Sequence, residues 1–191
     1  MEPIEQLLHD LFSGNDELAE SSAHQLAQYP EQALPLLLEK INSPDSDKRW
    51  WAIRALSLIP SAQAVQTFIE HLNDPDESVR QCAALALRYQ PSFEAVPVLI
   101  QSLDSSNRLL ARLAGDALIA VGHQAVPDLL LVMDSGSPRA RLEAARALAL
   151  IEDPRAIPAF YKALSEDSTL LEYWASEGLD RLGVGTVYIS P

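Results

Sequence analysis

The 191-residue sequence contains a single cysteine, Cys82, and few basic residues, with 14 Lys plus Arg against 27 Asp plus Glu. One thiol excludes internal disulfides and cysteine-rich zinc modules, and we expect Cys82 to be an inert thiol buried on a helix packing surface. The net charge of -13 repels phosphate backbones and anionic lipid headgroups. We therefore expect neither nucleic acid nor a membrane as the main partner, although a need for solubility also explains the acidity.

Long hydrophobic runs are absent as well. The longest apolar stretches, such as residues 125 to 133 with Asp128 inside, are too short or too interrupted to span a bilayer. Residues 1 to 10 lack the basic stretch and the apolar run of an export signal. The sequence therefore predicts a cytoplasmic protein without a membrane-spanning segment.

Motifs of catalysis are also missing. The sequence has no glycine-rich phosphate loop, no GxSxG elbow and no HExxH motif, so we predict no catalytic residues and no cofactor. Its histidines lie far apart without a second His or Cys at helical spacing, which predicts no metal site; they are His9, His24, His71 and His123. Four acids that could pair as catalytic carboxylates are explained better as solvated helix charges; they are Asp116, Glu143, Glu172 and Glu177.

What the sequence does contain is a repeat. A segment of about 31 residues recurs five times, and each copy opens on an apolar helical pattern that is followed by a second one. The five openings are ALPLLLEKI, AVQTFIEHL, AVPVLIQSL, AVPDLLLVM and AIPAFYKAL. Self-similarity at this period is typical of stacked helix pairs, and it predicts an all-α fold, a right-handed α-solenoid of about six helical hairpins.

The register of the copies defines the domain organisation that we expect. The chain forms one domain over residues 1–191, which begins with a degenerate repeat at 1–30 and ends in a tail at 183–191. The five regular repeats span 31–60, 61–91, 92–122, 123–152 and 153–182. A proline column marks the starts of first helices, or at most a bend, because a first-turn proline loses no hydrogen bond. These prolines are Pro35, Pro97, Pro127 and Pro158.

The second helix of each copy carries two columns of small residues beside a leucine. Small side chains let neighbouring helices approach closely, so these positions predict the core. The columns are Ala52, Ala83, Ala114, Ala144 and Ala175, then Ala55, Ala86, Ala117, Ala147 and Gly178. The loops before these helices, NSPDSDK, NDPDES, DSSN and DSGSP, are rich in residues that cap a helix N-terminus, and we interpret them as connectors.

The pattern AVPxLIxxLxDxDxxVRxxAAxAL resembles the HEAT repeat, in the short form known from phycobilin lyase subunits, and the segment DPDESVRQCAALAL matches it most closely. The resemblance implies an armadillo/HEAT-like solenoid in which the Asp and Arg columns tie adjacent repeats together. The arginine column is kept at Arg49, Arg80 and Arg141, whereas Ala111 and Glu172 depart from it. HEAT repeats serve scaffolds, regulators and lyase subunits alike, so the resemblance leaves the function open.

The candidate binding surface follows from the same resemblance, since the second helices of HEAT solenoids line the concave side. In each copy, the residues one, five and eight positions after the arginine-column position should form an exposed stripe of varied side chains. We single out as partner-binding Trp50, Arg54, Gln81, Arg88, Arg112, Asp116, Arg146, Tyr173 and Glu177. The alternative is that these surface residues vary because nothing constrains them. The neighbouring Trp51 and Trp174 are expected to be half-buried.

The function that we expect is a non-enzymatic scaffold or adaptor that binds another protein on this face, because Trp, Tyr and Arg supply most interface hot spots. The alternative, implied by the resemblance alone, is a subunit of a phycobilin lyase or a bilin-handling chaperone. In that case the arginines would pair with the propionates of a bilin chromophore and the aromatic rings would stack on it. Self-association through the end repeats is a third hypothesis.

Overall fold

The computed structural model of the chain describes residues 3–184, and within that range it is built from helices and contains no strand. The predicted all-α fold is confirmed for these residues. The last seven residues of the predicted tail, 185–191, lie outside the described part of the chain. The chain divides into two compact units, unit 1 over Met1–Gln90 and unit 2 over Pro91–Pro191.

Unit 1 consists of three helical hairpins. Helix α1 packs on α2, α3 on α4 and α5 on α6, and the second helices stack in the order α2, α4, α6. Buried leucine, isoleucine and phenylalanine side chains fill the space between the layers, with Leu37, Ile53 and Phe68 fully buried. The helices are α1 (Pro3–Leu11), α2 (Asp16–Leu26), α3 (Pro30–Lys40), α4 (Ser46–Leu56), α5 (Ala62–His71) and α6 (Glu77–Tyr89).

Unit 2 repeats the same arrangement. Helices α7 and α8, α9 and α10, and α11 and α12 form hairpins, and the second helices stack in the order α8, α10, α12. Short 3-10 turns at Phe93–Ala95, Gly122–Gln124 and Pro154–Ala156 precede the three first helices. The helices are α7 (Val96–Ser102), α8 (Arg108–Val121), α9 (Val126–Ser135), α10 (Pro138–Ile151), α11 (Ile157–Ala163) and α12 (Thr169–Arg181).

The small residues of the second helices form the core as predicted, since every member of both columns is buried. Gly178 shows why size matters there. A Cβ atom on Gly178 would lie 2.5 Å from the ring of Phe160, which is itself fully buried. The glycine therefore makes room for the largest fully buried side chain of the last hairpin.

The loops cap the second helices as predicted. Side-chain oxygens of Asp45, Asp76, Asn107 and Ser137 accept hydrogen bonds from backbone amides in the first turns of α4, α6, α8 and α10. Each cap satisfies an amide that has no partner inside the helix, which is worth about 1 kcal/mol. Ser168 stands at the equivalent position before α12, but its side chain makes no such bond.

The proline column marks helix starts in unit 2 but not in unit 1. Pro97, Pro127 and Pro158 each lie in the first two positions of an α-helix that follows a 3-10 turn. The prediction that Pro35 marks a helix start is wrong, because α3 already begins at Pro30 and Pro35 lies inside it. The predicted repeat boundaries, the single domain and the right hand of the superhelix stay predictions.

Candidate functional site

The predicted arginine ties between adjacent repeats are present once in each unit. In unit 1 the Arg49 guanidinium donates two hydrogen bonds to the Asp74 carboxylate, at 2.8 Å and 2.7 Å. In unit 2 Arg141 donates to Glu166 at 2.6 Å, across the same sequence separation of 25 residues. Burial alone would raise the pKa of Asp74, but the bonds from Arg49 and the Asp76 amide lower it below the ordinary value. These arginines therefore hold the stack together.

The first correction to the predicted stripe concerns Arg54 in unit 1. Its guanidinium does not stand free but donates two hydrogen bonds to the Glu20 carboxylate on α2, and its side chain is only 19% exposed. It also contacts the hydroxyl of Ser57, which is buried. Arg54 thus joins α4 to the preceding second helix. The sequence pattern identified its column but not the acid that would meet it.

The second correction concerns Arg146 in unit 2, which was expected to be exposed and is 1% exposed. Its guanidinium donates to Asp116 Oδ1 at 2.7 Å, to Glu143 Oε2 at 2.9 Å and to the carbonyl oxygen of Arg112 at 3.1 Å. Asp116 and Glu143 are therefore neither paired carboxylates nor free contacts. They are the two counter-ions of one buried arginine that links α10 to α8.

Gly115 is the residue that lets Arg146 enter the interior. A Cβ atom at this position would lie 2.7 Å from Arg146 Nη2 and 3.3 Å from Glu143 Oε2. Gly115 lies three residues after Arg112, whose carbonyl Arg146 reaches. In unit 1 Arg54 reaches Glu20, and the residue three positions further along is Ala23. A glycine in the middle of an otherwise regular helix was the signal in the sequence that could have located this buried ion cluster.

Three of the predicted stripe residues are well exposed. Arg88 in unit 1 is exposed, and in unit 2 the Arg112 side chain is 49% and Tyr173 is 57% exposed. Trp50 and Gln81 are half-buried. Glu177 is bound to Arg181 at 2.6 Å, one helical turn further along α12. Trp51 and Trp174 are half-buried as predicted, and each stacks edge-to-face on its neighbour, Trp50 or Tyr173.

Unit 2 exposes apolar side chains that lie outside the predicted stripe. Leu109 on α8 is 54% exposed and Leu170 on α12 is 62% exposed, each three residues before a predicted stripe residue. Residues three apart are neighbours on a helix surface, so each leucine extends the stripe by one turn. We call these positions of the three stacked second helices the unit 2 strip: Leu109 and Arg112, Arg139 and Leu142, Leu170 and Tyr173.

The same positions in unit 1 have a different character. The residues one turn before the stripe are Glu17, Asp47 and Ser78, all exposed, and the stripe residues themselves are Glu20, Trp50 and Gln81, all half-buried. Charge and aromatic character thus replace aliphatic side chains. The two units share a core pattern and differ in the surface that their second helices present.

The remaining chemical groups considered are the cysteine thiol and the candidate metal ligands of the described residues. Cys82 is buried, as predicted, and burial raises the pKa of its thiol to about 12, which leaves it protonated and unreactive at neutral pH. Among residues 3–184 no cluster of His, Cys, Asp and Glu has the geometry of a metal site. None of the helices in this range is long and apolar enough to cross a membrane.

Stacked helical hairpins joined by arginine ties define a helical-repeat protein of the armadillo/HEAT class. The sequence profile for HEAT repeats matches residues 1–88 and 96–180. The chain belongs to the HEAT-repeat family.

One curated relative and two solved structures show where this chain stands among such proteins. It is 41% identical over 62 residues to the bilin biosynthesis protein RpcF of Synechococcus sp. (strain WH8020), which is 32% of this chain and 30% of RpcF. The complex of CpcE and CpcF of phycocyanin lyase from Nostoc sp. PCC7120 matches with a TM-score of 0.58 and 24% identity, over 96% of this chain and 78% of that one. A designed armadillo repeat protein in complex with the peptide (KR)4 matches with a TM-score of 0.57 and 19% identity, over 95% and 100% of the two chains.

The structural matches, at these identities, show the fold alone, and they confirm the armadillo/HEAT solenoid class. The family match confirms the predicted HEAT repeats, and over 62 residues the chain is similar to a bilin biosynthesis protein. The segment shared with RpcF spans less than a third of that protein.

Proposed function

We propose that this chain is a non-enzymatic scaffold that binds another protein through exposed side chains of its second helices. The observation that carries the proposal is the unit 2 strip, where Leu109, Leu170 and Tyr173 are each more than half exposed. Large apolar side chains on repeated positions of one helix layer mark an interaction surface, particularly beside arginine. Arg112 and Arg139 supply that charge, so a partner surface with apolar and acidic groups would complement the strip.

The revised contact set differs from the predicted one. Arg54 and Arg146 are removed from the contact set because their guanidinium groups are bound within the fold. Asp116 is removed because it is a counter-ion of Arg146. The predicted residues that remain in the proposal are Trp50, Gln81 and Arg88 in unit 1, and Arg112, Tyr173 and Glu177 in unit 2. That the Nostoc match is a complex of two chains supports a protein as the partner.

The test removes the apolar part of the strip. In the double variant Leu170→Ser and Tyr173→Ala, proteins that co-purify with the wild-type chain from a lysate of the source organism should be lost. The matched control is Leu131→Ser with Tyr161→Ala, because these residues are 67% and 49% exposed on the first helices α9 and α11. Thermal unfolding of both variants verifies that they fold. Recovery of the same partners with the strip variant would contradict the proposal.

Bilin handling is the second candidate function, supported by the local similarity to a bilin biosynthesis protein and by the fold shared with a phycocyanin lyase. In this reading Arg112 and Arg139 pair with bilin propionates, and Tyr173 stacks on the tetrapyrrole. Mixing the purified chain with a bilin should then shift the absorbance spectrum, and the shift should be lost in the Arg112→Gln variant. An unchanged spectrum with the wild-type chain would exclude this role for the isolated chain.

A further inference from the structure

A concave groove with a volume of about 680 Å³ lies on unit 1, where the turn between α1 and α2 meets the start of α4. This volume falls in the range of sites that hold a small molecule or a few side chains. The groove is lined by two tryptophans, Trp50 and Trp51, and by one basic residue, Lys48. Its four carboxylates are those of Asp16, Glu20, Asp45 and Asp47. Because Arg54 neutralises Glu20, three acids remain against one base, an excess of two negative charges.

The tryptophan pair is the feature that distinguishes this groove from an ordinary acidic surface. Both indoles are half-buried and line the groove, with ring centroids 4.8 Å apart and planes inclined at 79°. Edge-to-face contact fixes each ring in place, so a ligand would meet a preformed aromatic surface. Tryptophan is also the best side chain for holding a cation against its ring face.

Two of the groove carboxylates are free to meet a ligand. Asp16 and Asp47 are exposed and form no ion pair with any residue between 3 and 184. Glu20 is already bound by Arg54, and Asp45 accepts the amide of Asp47 as a helix cap. Carboxylates in a first helical turn stabilise the helix dipole, which accounts for the positions of Asp16 and Asp47. The dipole does not account for the two half-buried indoles that line the same groove.

We propose that this groove binds a basic peptide segment, with an arginine or lysine side chain against Trp50 and Trp51 and its charge met by Asp16 and Asp47. The inference rests on the proposed function, since it gives unit 1 the part of recognising a basic segment of the protein partner. It assigns the two units different targets, because the unit 2 strip is apolar and basic.

The test measures the affinity of the purified full chain for a fluorescent octapeptide of alternating lysine and arginine. Anisotropy at about 0.15 M salt, where the Debye length is about 8 Å, suppresses diffuse attraction to the net charge. We expect saturable binding of one peptide per chain, accompanied by a change in tryptophan fluorescence. An octapeptide of alternating glutamate and serine should not bind.

Matched variants separate the groove from the overall acidity. Asp16→Asn with Asp47→Asn, and separately Trp50→Leu, should each weaken binding about tenfold, in line with the loss of a charge pair or a cation–π contact. The charge control is Glu31→Gln with Glu94→Gln, which removes two first-turn carboxylates elsewhere. The aromatic control is Trp174→Leu, which breaks the equivalent edge-to-face pair in unit 2. Both controls should bind the peptide as the wild-type chain does, and thermal unfolding verifies that every variant folds.

The outcomes are distinguishable from those of the proposed function. Absence of saturable binding, or equal weakening in the groove variants and the controls, overturns the groove inference, while the partner-capture result for the strip variant stands on its own. Conversely, peptide binding that depends on Asp16, Asp47 and Trp50 supports the groove even if the strip variant still captures every partner, in which case the unit 2 proposal fails.

Discussion

The second helices of the two units bury the same kinds of residue and expose different ones. In unit 1 the positions that face outward near the helix starts are Glu17, Glu20, Asp47 and Trp50, whereas unit 2 carries leucine, arginine and tyrosine there. Helix stacking constrains only the alanine and leucine columns, so the outward positions can diverge without cost to the fold. This difference is the basis of our proposal that the two units recognise different partner chemistry, a cation in unit 1 and an apolar surface in unit 2.

The two units also differ in how deeply they bury the arginine that links neighbouring second helices. Arg54 and Arg146 occupy equivalent positions and both reach back 34 residues, to Glu20 and to the carbonyl of Arg112. The Arg54 side chain is 19% exposed and that of Arg146 is 2% exposed. Unit 2 has Gly115 beside the buried guanidinium, where a Cβ atom would lie 2.7 Å from Arg146 Nη2, and unit 1 has Ala23 at the equivalent position. One tie is a partly solvated ion pair and the other is a buried cluster.

The largest expected effect tests this contrast directly. Arg146→Ala leaves the partly buried Glu143 carboxylate without its counter-ion and leaves Asp116 only the longer 3.9 Å contact with Arg112, which should cost about 3–5 kcal/mol in the free energy of unfolding. Arg54→Ala removes hydrogen bonds to a more exposed carboxylate and should cost about 1–2 kcal/mol. Urea unfolding followed by circular dichroism measures both values. Equal losses in the two variants would show that depth of burial does not separate the ties.

A smaller effect is expected at the Phe160 contact. Gly178→Ala should destabilise unit 2 by about 1–2 kcal/mol, because the added methyl overpacks against a buried ring and outweighs the better helix propensity of alanine. Unit 1 provides the comparison, since Phe68 in the same column coexists with Ala86 on its partner helix. Urea unfolding measures the change. An increase in stability would mean that the ring of Phe160 moves aside at little cost.

The smallest effects concern pH. Bonds from Arg141 lower the pKa of Glu166, and bonds from Arg155 lower that of Asp153, which also lies 2.8 Å from His123 Nδ1. Since the folded-state pKa values lie below the ordinary values of 4.5 and 3.8, these carboxylates stabilise the fold above those values. That stabilisation is lost as the pH falls through the lower folded-state pKa values. The pKa of Asp74 in unit 1 is also lowered, so its contribution to stability is lost in acid in the same direction.

Stability should therefore fall from about pH 5 downward, and the fall should be shallower when a tie is removed. Urea midpoints at a series of pH values for Asp74→Asn in unit 1 and Glu166→Gln in unit 2 measure this. We expect both variants to be less stable than the wild-type chain at pH 7 and to approach it in acid. A variant whose curve runs parallel to the wild-type curve would show that its carboxylate does not titrate with unfolding.

Features that depend on one repeat alone could be predicted from the sequence. The alanine columns and the caps at Asp45, Asp76, Asn107 and Ser137 follow from position within the repeat. The ties from Arg49 and Arg141 to the next repeat were implied by the resemblance to HEAT repeats. Pro35 shows the limit of that approach, because its helix begins five residues earlier, at Pro30. A local pattern fixes the type of an element more firmly than its start.

The candidate site was predicted less well, because exposure depends on the neighbouring repeat. Arg146 is buried on account of Gly115, and Arg54 is held by Glu20, and neither fact can be seen in a single copy. The leucines of the unit 2 strip, Leu109 and Leu170, lay one turn outside the stripe that the repeat register defined. The groove of unit 1 involves the degenerate first repeat, whose alignment to the other copies was the weakest.

Hydroxyl-radical footprinting of the chain in complex with a captured partner tests the central claim most directly, since it reports which side chains a bound protein covers. We expect reduced oxidation of Leu170 and Tyr173 on the unit 2 strip, and unchanged oxidation of Leu131 and Tyr161 on the first helices. Protection of Leu131 and Tyr161 with Tyr173 oxidised as in the free chain would contradict a binding surface on the second helices.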